Sequence, residues 1–87
     1  MNIIGSRISE IRKSKNLTQK ELGALVNISE STMARFEKGT REPRVSTLLS
    51  IAKVLDVSYE YLMGITDIKK ISNHEIKGEI IRLLNKL

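Results

Sequence analysis

The stretch SESTMARFEKG, from Ser29 to Gly39, groups several hydrogen-bonding side chains between residues that commonly begin and end a helix. Its outward positions hold an acid, two hydroxyls and a guanidinium: Glu30, Ser31, Thr32 and Arg35. A short structural helix needs an apolar face but not this variety on its outer face. The set is therefore either a solvated surface without a partner or a surface that recognises one through hydrogen bonds.

The other polar residues do not form a pattern suited to catalysis. The sequence has no paired carboxylates, no Ser/His/Asp arrangement and no glycine-rich phosphate loop. His74 is the only histidine and has no ligand partners nearby, and cysteine is absent. We therefore expect a protein that is not an enzyme and that uses no metal, no cofactor and no small-molecule ligand.

Length and composition indicate one small domain with a modest aliphatic core. The chain has 87 residues, of which 40% are hydrophobic and only three are aromatic, and its net charge is +5. Such a charge favours a polyanionic partner without proving one. No signal peptide and no apolar run of membrane-spanning length is present, so we expect a cytoplasmic protein that does not contact a membrane.

The first half of the chain predicts three short helices. Residues 4–15 have isoleucines at helical spacing, and Asn16 is a suitable stop. Thr18 and Glu21 can form a capping box for a second helix that ends near Asn27. The third helix is the stretch from Ser29 to Gly39.

The second half predicts two more helices and then a separate segment. Pro43 rules out a helix that continues through it. The stretch VSTLLSIAKVL follows, and its broad apolar face comprises Val45, Leu48, Leu49, Ala52 and Leu55. A short fifth helix is capped by Ser58 and ends at Gly64. We expect an all-α fold with five helices, a domain boundary at residue 66, and core positions at Ile8, Ile11, Leu22, Leu25, Met33, Phe36, Leu48, Ile51 and Leu55.

The second and third helices together satisfy the steric demands of a helix-turn-helix. Gly23 and Ala24 are small residues where the two helices approach each other, and Asn27 can adopt the positive φ that the turn needs. Met33 and Phe36, three residues apart, can pack against the preceding helix. From about residue 4 to residue 64 the chain resembles the phage-repressor, Xre/Cro-like helix-turn-helix family, through RISEIRKSKNLTQKELGALVNISESTMARFEKGTREP and LLSIAKVLDVSYEYLMG.

The resemblance implies a sequence-specific regulator of transcription, a repressor of the phage or prophage type, that binds double-stranded DNA as a dimer on a palindromic operator. The alternative is an antitoxin or an antirepressor-controlled protein whose C-terminal helix binds a protein partner. The resemblance also favours base recognition for the outer face of the third helix. Arg35 would bind guanine through two hydrogen bonds, and Ser31 and Thr32 would meet base edges or a thymine methyl. Glu30 could accept from cytosine N4, although its charge lies near phosphates and would act mainly against wrong sites.

The resemblance also implies contacts with phosphates on either side of the third helix. The matching residues are Thr18, Gln19, Lys38, Arg41 and Arg44, with a secondary role for Arg12. Arg12 and Glu37 match a pair that bridges the first and third helices, so their expected role is structural first. Three positions depart from the family pattern: Asn27 replaces glycine in the turn, Glu30 places a negative charge near phosphates, and Arg44 replaces a Ser-like cap.

Residues 67–87 predict an additional amphipathic helix. Ser72 and Glu75 can form a capping box, and an apolar stripe follows at Ile76, Ile80, Leu83, Leu84 and Leu87. This stripe, together with Tyr59 and Tyr61, is expected to form a surface for homodimerisation or for a protein partner such as an antirepressor or a toxin. Simple packing on the chain's own domain is the remaining alternative.

Overall fold

The computed structural model of the protein describes residues 2–69, which form five helices and no strand. The helices are α1 (Ile3–Ser14), α2 (Gln19–Val26), α3 (Glu30–Lys38), α4 (Val45–Leu55) and α5 (Tyr59–Met63). The prediction of an all-α domain with five helices is therefore confirmed. The predicted C-terminal helix, with its stripe from Ile76 to Leu87, lies outside the described residues.

Side-chain caps fix where most of these helices begin. The capping box of α2 is present: the Glu21 backbone N–H donates to Thr18 Oγ1 over 3.0 Å, and the Thr18 backbone N–H donates to Glu21 Oε1 over 2.9 Å. Ser29 and Ser58 occupy the N-cap positions of α3 and α5, and each side chain accepts from the backbone N–H three residues later. Arg44 precedes α4 without a side-chain cap, as the sequence predicted.

Residues with a left-handed backbone end both α2 and α3. Asn27 has φ 64° at the end of α2, and Gly39 has φ 81° at the end of α3. Gly23 is buried, and a Cβ at this position would overlap the carbonyl oxygen of Ile28 in the turn. The requirement for a small residue therefore falls on Gly23, whereas Ala24 is exposed and does not serve it.

One core cluster joins all five helices through aliphatic side chains. Its fully buried members are Ile8, Leu22, Met33, Leu48, Ile51, Leu55 and Leu62. Three positions expected on apolar faces are instead exposed: Leu25 by 59%, Val45 by 62% and Leu49 by 49%. On α4 the core-facing stripe is the narrower set Leu48, Ile51, Ala52 and Leu55.

The segment that follows α5 is bonded to α1. Arg7 Nη1 donates to the carbonyls of Tyr61 and Thr66 at 2.6 and 2.7 Å, and Arg7 Nη2 lies 2.7 Å from Asp67 Oδ1. The Ser58 backbone N–H also donates to the carbonyl of Lys69 over 2.8 Å. Residues 67–69 therefore contact the helical domain, although the predicted boundary places them after its end.

Candidate nucleic-acid interface

The inner face of α3 holds the helix against the rest of the domain. Met33 is completely buried and Phe36 is 4% exposed. The opposite side of the helix leaves Glu30, Ser31 and Arg35 exposed and Thr32 half-buried. The structure therefore brings the four residues of the predicted recognition face together on one exposed surface, with their backbone fixed by the buried pair beneath it.

The first turn of α3 carries a small network of hydroxyl groups. Ser29 Oγ accepts from the Thr32 backbone N–H over 3.1 Å and donates to Thr32 Oγ1 over 2.8 Å. The hydroxyls of Ser29 and Ser31 lie 3.2 Å apart. The two hydroxyls expected to meet base edges are therefore both oriented by the residue that caps the helix.

A shallow, open recess separates the start of α2 from the start of α3. Its lining comprises Arg12, Lys13, Asn16, Leu17, Thr18, Gln19 and Glu30. The recess exposes the first turn of α2, where backbone N–H groups lack partners within the helix and favour an anion. Thr18 and Gln19 line this recess, and their expected contacts with phosphates stay a prediction.

Lys13 and Asn16 line this recess but were not among the predicted site residues. The available signal was their position at the end of α1, directly before the capping box of α2. Lys13 is exposed, and within residues 2–69 it forms no ion pair. It therefore supplies a cation beside the exposed end of α2.

The predicted pair of Arg12 and Glu37 is present and nearly buried. Arg12 Nε donates to Glu37 Oε2 over 2.7 Å, and Arg12 Nη2 donates to Glu37 Oε1 over 2.9 Å. Arg12 Nη1 donates to the carbonyl of Leu17 over 2.8 Å. Three of the five guanidinium N–H groups thus donate within the protein, which fits the structural role expected for Arg12, and its secondary phosphate contact stays a prediction.

Gln19 extends this pair towards the surface. Its Nε2 donates to Glu37 Oε1 over 3.2 Å, which links the start of α2 to the last turn of α3. Burial alone would raise the pKa of Glu37, but hydrogen bonds from Arg12 and Gln19, the charge of Arg12 and a hydrogen bond from Ser9 outweigh it and hold that pKa below its ordinary value. The network therefore keeps a carboxylate ionised between three helices.

The cations expected on the other side of α3 are all exposed. Lys38 ends the helix, Arg41 lies in the loop that follows, and Arg44 precedes α4. In the part of the chain that the structure describes, none of them forms an ion pair. These three cations are therefore exposed to solvent. They lie at and after the C-terminal end of α3, whereas the recess lies beside the start of that helix.

The structure corrects the expected role of Tyr61 and leaves that of Tyr59 as a prediction. Tyr61 is 4% exposed, and the guanidinium of Arg7 lies 4.2 Å from its ring centroid. The ring is thus covered on the inside by the core and on the outside by an arginine, so it cannot form a surface for a second protein. Tyr59 is half-buried.

Two further properties concern residues 2–69 as a whole. No helix in this range is long and apolar enough to cross a membrane. Nor does the range contain a group of three or more His, Cys, Asp or Glu residues arranged to hold a metal ion. What distinguishes the surface around α3 is its hydrogen-bonding side chains and cations.

Comparison with known proteins agrees with this architecture. Residues 8–62, more than half of the chain, match a family described as helix-turn-helix. The chain therefore belongs to this helix-turn-helix family, and the resemblance found in the sequence is confirmed.

The relatives are regulators of transcription and repressors. The chain is 30% identical to the HTH-type transcriptional regulator ImmR of Bacillus subtilis, over 90% of this chain and 61% of ImmR. It is 37% identical to the uncharacterized HTH-type transcriptional regulator y4dJ of Sinorhizobium fredii, over 75% of this chain and 84% of y4dJ. The chain thus spans about three fifths of the length of ImmR.

A solved structure has the same helical arrangement. The P22 c2 repressor, crystallised in complex with a synthetic operator, superposes with a TM-score of 0.66 at 34% identity. The alignment covers 68% of this chain and 89% of the P22 chain.

Proposed function

We propose that this protein is a sequence-specific repressor of transcription that inserts α3 into the major groove of double-stranded DNA. The observation that supports this most directly is the recognition face, defined as Glu30, Ser31, Thr32 and Arg35, on a helix held by buried Met33 and Phe36. A major groove admits an α-helix and presents donors, acceptors and methyl groups that such side chains distinguish. The complex of the similar P22 c2 repressor with a synthetic operator supports the same assignment.

Within this face the roles differ with side-chain chemistry. Arg35 supplies two parallel donors that match guanine O6 and N7, a contact worth about 1–3 kcal/mol of discrimination. Glu30 lines the recess beside the start of α2, where phosphates would lie, so its charge opposes binding unless a base amino group meets it. Glu30 therefore determines which sites are refused more than how tightly any site is held.

Affinity comes from groups on both sides of the recognition face. At the start of α2, Thr18 and the backbone N–H of Gln19 contact phosphates of one DNA strand, and Lys13 lies beside them. Lys38, Arg41 and Arg44 supply cations at the other end of α3. Such contacts fix the register of the helix on the duplex without selecting a sequence.

The protein acts as a dimer on an inverted repeat in this proposal. Two copies of α3 reach the major groove on one face of the duplex when half-sites lie about one helical turn apart, roughly 34 Å. The amphipathic residues 67–87 supply the contact between the two copies, and we infer this from the sequence pattern alone. The alternative is that an antirepressor or a toxin binds the same segment. Sedimentation of variants with a charge on the stripe distinguishes this alternative from dimerisation.

The function is tested by selecting bound sites from random DNA duplexes with the full chain. The expected product is a short inverted repeat that contains a guanine, and Arg35→Ala relaxes the preference at that guanine by about tenfold. Lys53→Ala is the matched control, because this exposed cation lies near the end of α4, away from the recognition face. If the wild-type chain enriched no sequence, or if Arg35→Ala left every base preference intact, the placement of α3 in the groove would be wrong.

A further inference from the structure

Ser29 makes three hydrogen bonds with one hydroxyl group. It accepts from the Thr32 backbone N–H, donates to Thr32 Oγ1 and contacts Ser31 Oγ, at 3.1, 2.8 and 3.2 Å. A hydroxyl has one proton and two lone pairs. The three contacts therefore use its whole hydrogen-bonding capacity.

Counting protons fixes the direction of the remaining contact. The proton of Ser29 points to Thr32 Oγ1, and the Thr32 N–H occupies one of its lone pairs. The contact with Ser31 can then form only if Ser31 donates its own proton to the second lone pair of Ser29. Ser31 thus has only lone pairs left for a partner outside the protein, whereas Thr32 keeps its proton and one lone pair.

We infer that Ser29 determines the hydrogen-bonding polarity of the recognition face, so that Ser31 can only accept from a base and Thr32 is the hydroxyl left to donate to one. This rests on the proposed function, because only a base edge in the major groove would meet these hydroxyls. Ser31 would then face an amino group, adenine N6 or cytosine N4, and Thr32 would face a keto oxygen, thymine O4 or guanine O6. Ser29 itself is a positioning residue that acts through its two neighbours.

The substitution Ser29→Asp separates this role from capping. A carboxylate still accepts from the Thr32 N–H and still caps the helix, but it has no proton to donate at neutral pH. Thr32 would then donate its proton to Asp and present lone pairs to the DNA. The expected preference opposite Thr32 therefore reverses from a keto base to an amino base, while the preference opposite Ser31 is unchanged.

Two further substitutions provide the matched controls. Ser29→Thr keeps one hydroxyl in the same position, so both preferences should be those of the wild-type chain. Ser29→Gly weakens the cap by only a few tenths of a kcal/mol, and it frees both neighbouring hydroxyls to rotate. We therefore expect Ser29→Gly to lose the distinction between keto and amino bases at both positions.

The experiment is site selection from random duplexes with the full chain and these three variants at one salt concentration. Ser31→Ala and Thr32→Val locate the base pairs that the two hydroxyls contact. We expect a three- to tenfold keto preference opposite Thr32, about that of one hydrogen bond, and its reversal in Ser29→Asp. An enriched wild-type site whose keto preference persists in Ser29→Asp, or does not depend on Thr32, overturns this inference alone; a wild-type chain that enriches nothing overturns the proposed function with it.

Discussion

The side chain of Asn2 joins the start of α1 to the end of α3 through the carbonyl of Glu37. Asn2 Nδ2 donates to the Glu37 carbonyl over 2.7 Å, while Asn2 Oδ1 accepts from the Gly5 backbone N–H over 3.0 Å. One amide thus caps the first turn of α1 and satisfies a carbonyl that α3 leaves without a partner. The last turn of α3 is thereby held at its backbone as well as through Phe36.

Substituting Asn2 by serine should separate these two contacts. Serine keeps the cap on Gly5 because its hydroxyl can accept there, but it is too short to reach the Glu37 carbonyl and leaves that group unsatisfied. We expect the free energy of unfolding, measured by urea denaturation, to fall by about 1 kcal/mol. Asn2→Ala should lose about 1 kcal/mol more, because it removes the cap as well. Equal stability of Asn2→Ser and wild type would contradict the contact.

The lowered pKa of Glu37 makes the stability of the domain depend on pH in one direction. A carboxyl whose pKa is lower in the folded than in the unfolded chain stabilises the fold above its ordinary pKa, here 4.5, and loses that contribution as the pH falls through the folded value. We therefore expect wild type to exceed Glu37→Gln in unfolding free energy at pH 7, and the difference to shrink below pH 4.5. Urea denaturation of both proteins between pH 3 and 7 measures it.

Glu21 provides the control for this pH dependence. Its pKa is also lowered, first by the Thr18 backbone N–H and then by the Thr18 hydroxyl, so it contributes in the same direction. Glu21→Gln keeps the Arg12 and Glu37 pair intact. The difference in unfolding free energy between Glu21→Gln and Glu37→Gln therefore reports on that pair. A gap between wild type and Glu37→Gln that stayed constant down to pH 3 would show that Glu37 is not ionised in the fold.

The elements predictable from sequence were those whose signals lie within one turn of helix. The capping box of Thr18 and Glu21, the cap at Ser29 and the stop at Gly39 each depend on residues three or four positions apart, or on one left-handed residue. The Arg12 and Glu37 pair joins two helices, and its prediction depended on the family resemblance. Local chemistry thus predicted the helix boundaries and most of the core.

Several of the errors concern which side of a helix faces the domain. α5 spans five residues, too few for a periodic pattern to show that Tyr61 is buried beneath Arg7. Leu25 lies in the last turn of α2 and is 59% exposed. The bonds from Asn2 and Arg7 connect residues 35 to 60 positions apart, and no local pattern contains such contacts.

Removing the charge of Arg41 should weaken binding to all DNA alike. Arg41 is exposed in the loop after α3 and forms no ion pair within residues 2–69, so it can meet a phosphate without first breaking an internal contact. In Arg41→Ala we expect the slope of log affinity against log salt to decrease in magnitude by about one unit, with base preferences unchanged. Binding titrations at several salt concentrations measure this slope. A changed base preference would instead place Arg41 in a groove.

A charge placed on the apolar stripe of residues 76–87 tests how two copies associate. In the full chain, Ile80→Lys interrupts the stripe, whereas Asn85→Lys adds the same charge at a position outside it. If the stripe joins two copies, sedimentation should show that Ile80→Lys is monomeric and Asn85→Lys dimeric, and only Ile80→Lys should lose cooperative binding to an inverted repeat. Because a lysine costs more in an apolar interface than on a solvated surface, the two variants should separate clearly. A dimer that survives Ile80→Lys would assign the stripe to packing or to a different protein partner.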